Sequence, residues 1–142
     1  MKIRVLLVDD EEDFVETLAQ RLEVRDFEVA TALSGADALE RLEDREIDVV
    51  VLDLQMPGVD GIQVLQEIKD KKPLIEVIML TGHATVETAI EGMKLGAFDF
   101  LTKPTETEEL LEKITRAFGR KSEQDRRIQE AEIDQIVKRR GW

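Results

Sequence analysis

Residues 47 to 53, IDVVVLD, form an almost uninterrupted apolar run that ends in an aspartate. A short run that is rich in β-branched residues is typical of a strand covered on both faces in a parallel sheet. IEVIML, which starts at Ile75, has the same character. We interpret these two runs as strands three and four, at the centre of a sheet.

Three further runs indicate the remaining strands: IRVLLV from Ile3, FEVAT from Phe27 and FDFL from Phe98. Between the five runs, apolar residues recur at the spacing of amphipathic helices. The residues that carry this spacing are Phe14, Leu18, Leu22, Ala38, Leu39, Leu42, Ile62, Leu65, Ile68, Val86, Ile90, Met93, Leu110, Leu111 and Ile114. Strict alternation predicts an α/β protein with a doubly wound, five-stranded parallel sheet and helices on both faces.

Three helix starts carry a capping pattern, in which a polar residue precedes a second polar residue by three positions. The three pairs are Ser34 with Asp37, Asp60 with Gln63, and Thr105 with Glu108.

The overall composition excludes several classes of protein. A formal charge of −12 disfavours direct contact with nucleic acid, and the absence of cysteine excludes disulfides and thiolate metal sites. No run approaches the roughly 20 apolar residues of a membrane helix, and the acidic residues 9 and 10 come too soon for a signal peptide. We therefore expect a cytoplasmic protein without membrane contact.

The charge balance divides the chain near Gly119. Residues before it include 13 basic and 27 acidic side chains, whereas residues 119 to 142 hold seven basic and five acidic ones. This predicts a domain over residues 1 to 119 and a charged extension over residues 120 to 142. The extension could continue the fifth helix, pair with a second chain or stay frayed, and we favour a continued helix.

Polar side chains follow four of the predicted strands. Asp9 and Asp10 follow strand one, Asp53 strand three, Thr81 strand four and Lys103 strand five. In an open parallel sheet, ligands bind beyond the carboxyl ends of the strands, so we expect these side chains to form one site. Three converging carboxylates favour a bound hard cation, and oxygen ligands without His or Cys suit Mg²⁺. Such a site could activate the carboxylate of Asp53 toward a phosphoryl group, which Thr81 and Lys103 would help to hold.

Four segments in order, LLVDDEED, VVLDLQMPGVDGIQVL, IMLTGHATVETAIEGMKLGAFDF and LTKP, resemble the response-regulator receiver domain of two-component signalling. The resemblance covers roughly residues 2 to 119. It implies a flavodoxin-like fold with strand order 2-1-3-4-5. Residues 77 to 104 are most similar to receivers of NtrC-like transcription activators that drive an ATPase module.

The resemblance also implies a role for each site residue. Asp53 would be the phosphoacceptor, with Asp10 and the main-chain carbonyl of Gln55 joining it around Mg²⁺. Asp9 would act through the water shell of the metal. Gln55 and His83, each two residues after a site residue, would tune the lifetime of the phosphorylated form.

Thr81 and Lys103 would bind the phosphoryl group, and Phe100 would be the aromatic residue that turns inward when Thr81 moves. The Lys103–Pro104 bond would be cis, which proline permits at low cost.

The partners implied are a sensor histidine kinase or phosphotransfer protein and a downstream protein target. A homodimer through helix four, strand five and helix five, or through the extension, is a further expectation. The alternative for output is that the chain is the receiver piece of a longer transcription activator rather than a single-domain regulator.

Simpler interpretations compete with these roles. Taken singly, each aspartate could cap a helix, Lys103 could be a solvated lysine, Phe100 a core residue and His83 a loop residue. A Mg²⁺-dependent phosphatase with an aspartyl nucleophile would need a second carboxylate at position 55 as its acid/base, but this position is glutamine. A scaffold that works without phosphate would not need the full set of acidic, threonine and lysine positions.

Overall fold

The computed structural model describes residues 2–55, 61–82, 86–103 and 106–140. Five strands and five helices alternate along them. They are β1 (Arg4–Val8), α1 (Glu12–Val24), β2 (Glu28–Ala32), α2 (Gly35–Asp44), β3 (Val49–Asp53), α3 (Gly61–Lys71), β4 (Glu76–Thr81), α4 (Val86–Lys94), β5 (Asp99–Thr102) and α5 (Thr107–Arg140). All neighbouring strands are parallel, in the order β2-β1-β3-β4-β5, which confirms the predicted class and topology.

Two apolar clusters cover the two faces of the sheet. Alternate residues of a strand point to opposite faces, so Leu6 and Val8 of β1 join one cluster while Val5 and Leu7 join the other. The first cluster includes side chains of α2, α3 and α4, and the second includes side chains of α1 and α5. The central strands β3 and β4 are buried along their whole length, as their sequences predict.

One of the three predicted helix caps can be observed directly. The backbone N–H of Asp37 donates to Ser34 Oγ at 3.1 Å, which satisfies a free donor at the start of α2. The other two caps, at Asp60 and Thr105, lie outside the described residues.

Two carboxylates are buried at the amino edge of the sheet, each the single charged residue near the start of an apolar run that the sequence predicts as a strand. Asp48 directly precedes β3 and Glu76 begins β4, and each is 1% exposed. Arg4 donates to Asp48 through its backbone N–H at 2.9 Å and its guanidinium at 3.1 and 3.2 Å. Lys69 Nζ lies 3.3 Å from Glu76 Oε1. Each buried acid therefore has a cation beside it.

The last helix, α5, is 34 residues long and passes through the predicted boundary at residue 119 without a break. Its residues Arg120 and Lys121 lie at the amino edge of the sheet. Arg120 Nε donates to Glu76 Oε2, and Lys121 Nζ lies 3.3 Å from Asp48 Oδ1. Beyond these contacts the helix carries three exposed isoleucines, at 128, 133 and 136. None of the helices in the described ranges is long and apolar enough to span a membrane.

Candidate functional site

The register of the sheet brings the predicted site residues to one edge. Val8 of β1 lies opposite Leu52 of β3, so the residues that follow them, Asp9 and Asp53, lie side by side. Both carboxylates are buried, whereas Asp10 is exposed. Parallel strands place all their carboxyl ends at one edge, which is why residues 44 positions apart in the sequence meet here.

Lys103 supplies the cation of the site. Its Nζ lies 2.5 Å from Asp9 Oδ2 and 3.6 Å from Asp53 Oδ2, and its backbone N–H donates to the carbonyl of Thr81 at 2.7 Å. Burial of the ammonium lowers its pKa, but the hydrogen bond to Asp9 and the negative charge of Asp53 outweigh this effect. The pKa of Lys103 is therefore raised above its usual value.

Asp53 sits in surroundings that oppose its charge. Burial raises the pKa of this carboxyl group, and the neighbouring charge of Asp9 raises it further. The backbone N–H of Gln55, 3.0 Å from Asp53 Oδ1, and the ammonium of Lys103 act in the opposite direction without cancelling the effect. The pKa of Asp53 is raised overall, which is common for groups at reactive sites.

The buried hydroxyl of Thr81 already has a partner in this state. Thr81 Oγ1 donates to the carbonyl of Leu101 at 3.4 Å, across the β4–β5 pair. A Thr81 hydroxyl that binds a ligand at Asp53 must first leave this carbonyl. The hydroxyl of Thr81 is thereby coupled to the edge strand β5.

The three carboxylates fit a hard divalent cation. Asp9, Asp10 and Asp53 each offer an oxygen, and these oxygens lie within 4.8 Å of one another. Such a set consists of oxygen donors alone, and its mutual repulsion is relieved by a bound cation. The chemistry of the donors therefore suits Mg²⁺ better than zinc.

The remaining predicted residues are located as follows. Gln55 is exposed, and its side chain lies against Gly82, where a Cβ would come within 2.5 Å of Gln55 Oε1. Phe100 lies on β5 and is 38% exposed, so its ring faces outward in this state. His83 and Pro104 lie outside the described residues, and so does the predicted cis bond.

Two residues near the ammonium of Lys103 were not predicted as part of the site. Glu11 Oε1 lies 3.8 Å from Lys103 Nζ, and the ring centroid of Phe14 lies 4.6 Å from it. Glu11 belongs to the acidic DDEED run, whose position after strand one could have indicated it. Phe14 fits the apolar spacing of α1, and nothing in that spacing distinguishes a ring beside the site from a core residue.

Comparisons with known proteins agree on one family. The model of the response regulator receiver domain matches residues 5–115. A putative NtrX-like response regulator of Rickettsia conorii is 37% identical over 118 residues, which cover 82% of this chain and 25% of that protein. The regulatory protein AtoC of Escherichia coli is 39% identical over 114 residues, covering 80% of this chain and 25% of AtoC. The chain thus spans about a quarter of the length of these relatives.

Solved structures agree in fold. The receiver domain protein from Clostridium thermocellum superposes with a TM-score of 0.81 at 38% sequence identity, covering 84% of this chain and 97% of that one.

Proposed function

This chain belongs to the family of response-regulator receiver domains, and we propose that Asp53 is the residue on which it accepts a phosphoryl group. One observation carries the assignment. Asp53 is a buried carboxylate whose neighbours are Lys103 and two further carboxylates, a set that could hold both a metal ion and a phosphoryl group. Asp9 is equally buried, and its Oδ1 accepts from a backbone N–H as that of Asp53 does, but its Oδ2 lies 2.5 Å from Lys103 Nζ, whereas Asp53 Oδ2 lies 3.6 Å from it and is the freer oxygen.

The donor in this proposal is a phosphohistidine of a sensor kinase or phosphotransfer protein. A carboxylate oxygen of Asp53 attacks the phosphorus, and the bond from phosphorus to the imidazole nitrogen breaks, with its electron pair leaving on the nitrogen. Lys103, 3.6 Å from Asp53 before the reaction, would contribute a charge-assisted hydrogen bond to an oxygen of the new aspartyl phosphate.

Asp10, Asp53 and the main-chain carbonyl of Gln55 are the groups that would hold Mg²⁺ directly, and Asp9 would act through the water shell of the metal. When bound, the ion neutralises charge that develops on the phosphoryl group. The raised pKa of Asp53 supports this role, since burial and the charge of Asp9 oppose its negative charge and a bound cation would offset both effects.

The output would be a change of the protein-binding face formed by α4, β5 and α5. Thr81 would exchange the carbonyl of Leu101 for the phosphoryl group, and Phe100 would turn inward as Thr81 moves. Ile90 and Met93 are exposed, lie three residues apart on α4 and so share a face of that helix, and they would contribute apolar area to a target. Gln55 and His83 would set the phosphate lifetime.

Two forms of output are compatible with this face. The chain could act as a single-domain regulator through protein contact, or as the receiver of a longer transcription activator, which its match to only a quarter of the length of two regulators would fit. The exposed isoleucines 128, 133 and 136 of α5 would support a homodimer through the extension in either form.

Intact mass after incubation with acetyl phosphate tests the proposal. We expect the mass of one phosphoryl group to be gained when Mg²⁺ is present, and no gain without it. Asp53→Ala should abolish the gain, whereas Asp70→Ala, which removes an exposed carboxylate of α3, should leave it unchanged.

Phosphorylation that persists in Asp53→Ala would place the acceptor elsewhere. A protein that gains no mass with any small donor or with a phosphorylated kinase would instead be a scaffold that works without phosphate.

A further inference from the structure

Lys103 contacts a residue of α1 that has no assigned role. Its Nζ lies 4.6 Å from the centroid of the Phe14 ring. Phe14 is the third residue of α1, is partly buried, and packs against the apolar cluster shared by α1 and α5. Because this packing restricts the movement of the ring, the ring offers the ammonium a surface at a defined position.

The ammonium of Lys103 has alternatives to its observed position. Its long side chain could carry it outward to Glu11, a carboxylate 68% exposed and 3.8 Å away, or keep it inside beside Asp9 and Asp53. The face of an aromatic ring attracts a cation, and this attraction grows where water is excluded. Phe14 therefore favours the inner position of Lys103.

We propose that Phe14 is a positioning residue for Lys103: the face of its ring holds the ammonium beside Asp53 and so raises the rate at which Asp53 is phosphorylated. The inference rests on the function proposed above. It differs from a purely apolar role, in which Phe14 would only support the methylene groups of the lysine side chain.

Substitutions at position 14 separate the two roles. Leucine and methionine can support the methylene groups but have no ring face, whereas tyrosine keeps the ring. With Mg²⁺ present, we expect Phe14→Leu and Phe14→Met to slow phosphorylation by acetyl phosphate about three- to tenfold, the range expected from a cation–π contact. Phe14→Tyr should be phosphorylated at a rate within about twofold of that of the wild type.

Phe27 offers a matched control. It is also partly buried and packs against the same apolar cluster. Phe27→Leu should therefore change the packing of this cluster in a similar way while leaving the phosphorylation rate unchanged.

A second measurement detects the contact without phosphorylation. In protein labelled with ¹³C at the lysine ε carbon, the ring current of Phe14 should shift the Lys103 ε protons upfield. Lys103→Arg identifies the signal. The shift should disappear in Phe14→Leu and Phe14→Met and persist in Phe14→Tyr.

The outcomes distinguish the positioning role of Phe14 from the proposed phosphorylation of Asp53. Wild-type rates in both Phe14→Leu and Phe14→Met, or a Lys103 signal without a ring-current shift, would overturn the positioning role and leave Asp53 as the acceptor. If the wild type itself accepted no phosphoryl group, the proposed function and this inference would both fall.

Discussion

Ionisation of Asp53 costs more free energy in the folded protein than in the unfolded chain. Its pKa is raised in the folded protein by burial and by the neighbouring charge of Asp9. A carboxyl group whose pKa is higher in the folded than in the unfolded state destabilises the fold progressively as the pH rises above the unfolded-state pKa, and the full effect is reached above the folded-state pKa. The acceptor is thus held in a reactive environment at the expense of stability, a common feature of functional sites.

Asp53→Asn should therefore stabilise the metal-free protein at pH 7, by on the order of 1 kcal/mol. The sign follows because the substitution removes a charge that the fold opposes while keeping an oxygen for the N–H of Gln55. Below the unfolded-state pKa, near 4, the carboxyl group is neutral in both states and the gain should vanish. Urea unfolding at both pH values measures this difference.

Asp70→Asn, at an exposed position of α3, should change stability little at either pH. A lower free energy of unfolding for Asp53→Asn at pH 7 would contradict the assigned environment of Asp53.

At the scale of elements, α5 is joined to the sheet by charge as well as by apolar packing. Burial alone raises the pKa of Asp48, but hydrogen bonds from Arg4 and the charges of Arg4 and Lys121 lower it overall. At the neighbouring strand start, Arg120 binds Glu76 and also lies 5.0 Å from the ring centroid of Phe98. A buried carboxylate that loses a cation is costly, so these pairs fix the helix against the sheet.

Arg120→Ala should lower the free energy of unfolding by about 1 to 3 kcal/mol, because among the described residues Lys69 would then be the one cation paired with the buried Glu76. Arg127→Ala on the same helix removes an exposed i,i+4 pair with Glu123 and should cost less than about 0.5 kcal/mol. Urea unfolding of the two variants gives the comparison. Equal effects would mean that Arg120 is only another surface charge.

At the scale of the whole molecule, Mg²⁺ should raise the free energy of unfolding. A cation that binds the folded but not the unfolded chain stabilises by about 2.7 kcal/mol at 100 times its dissociation constant. Asp10→Asn removes one of the three carboxylates and should reduce this increment. Thermal unfolding across a Mg²⁺ titration, at ionic strength held constant with NaCl, measures it.

An equal Mg²⁺ response in Asp10→Asn and the wild type would show that the ion acts through the overall negative charge rather than at this site.

Much of this architecture could be predicted because it follows from local periodicity. Alternating runs indicate parallel strands, and parallel strands bring Asp9, Asp53 and Lys103 to one edge. The contact between Lys103 and Phe14 could not be predicted in this way, since it depends on the side-chain conformation of a flexible lysine. The burial of Asp48 and Glu76 could not be predicted for a related reason: three of the cations that pair with them, Arg4, Arg120 and Lys121, come from distant segments of the chain.

Because α5 is long, a small change in its tilt at the sheet would displace its far end by a large distance. Arg120 and Lys121 hold the helix at the sheet, and about 20 further residues rise 1.5 Å each, so the helix reaches roughly 30 Å beyond. A tilt of about 10° at this anchor would displace the far end by about 5 Å, one helical turn. The helix is in this sense a lever with its fulcrum at the amino edge, opposite the acceptor.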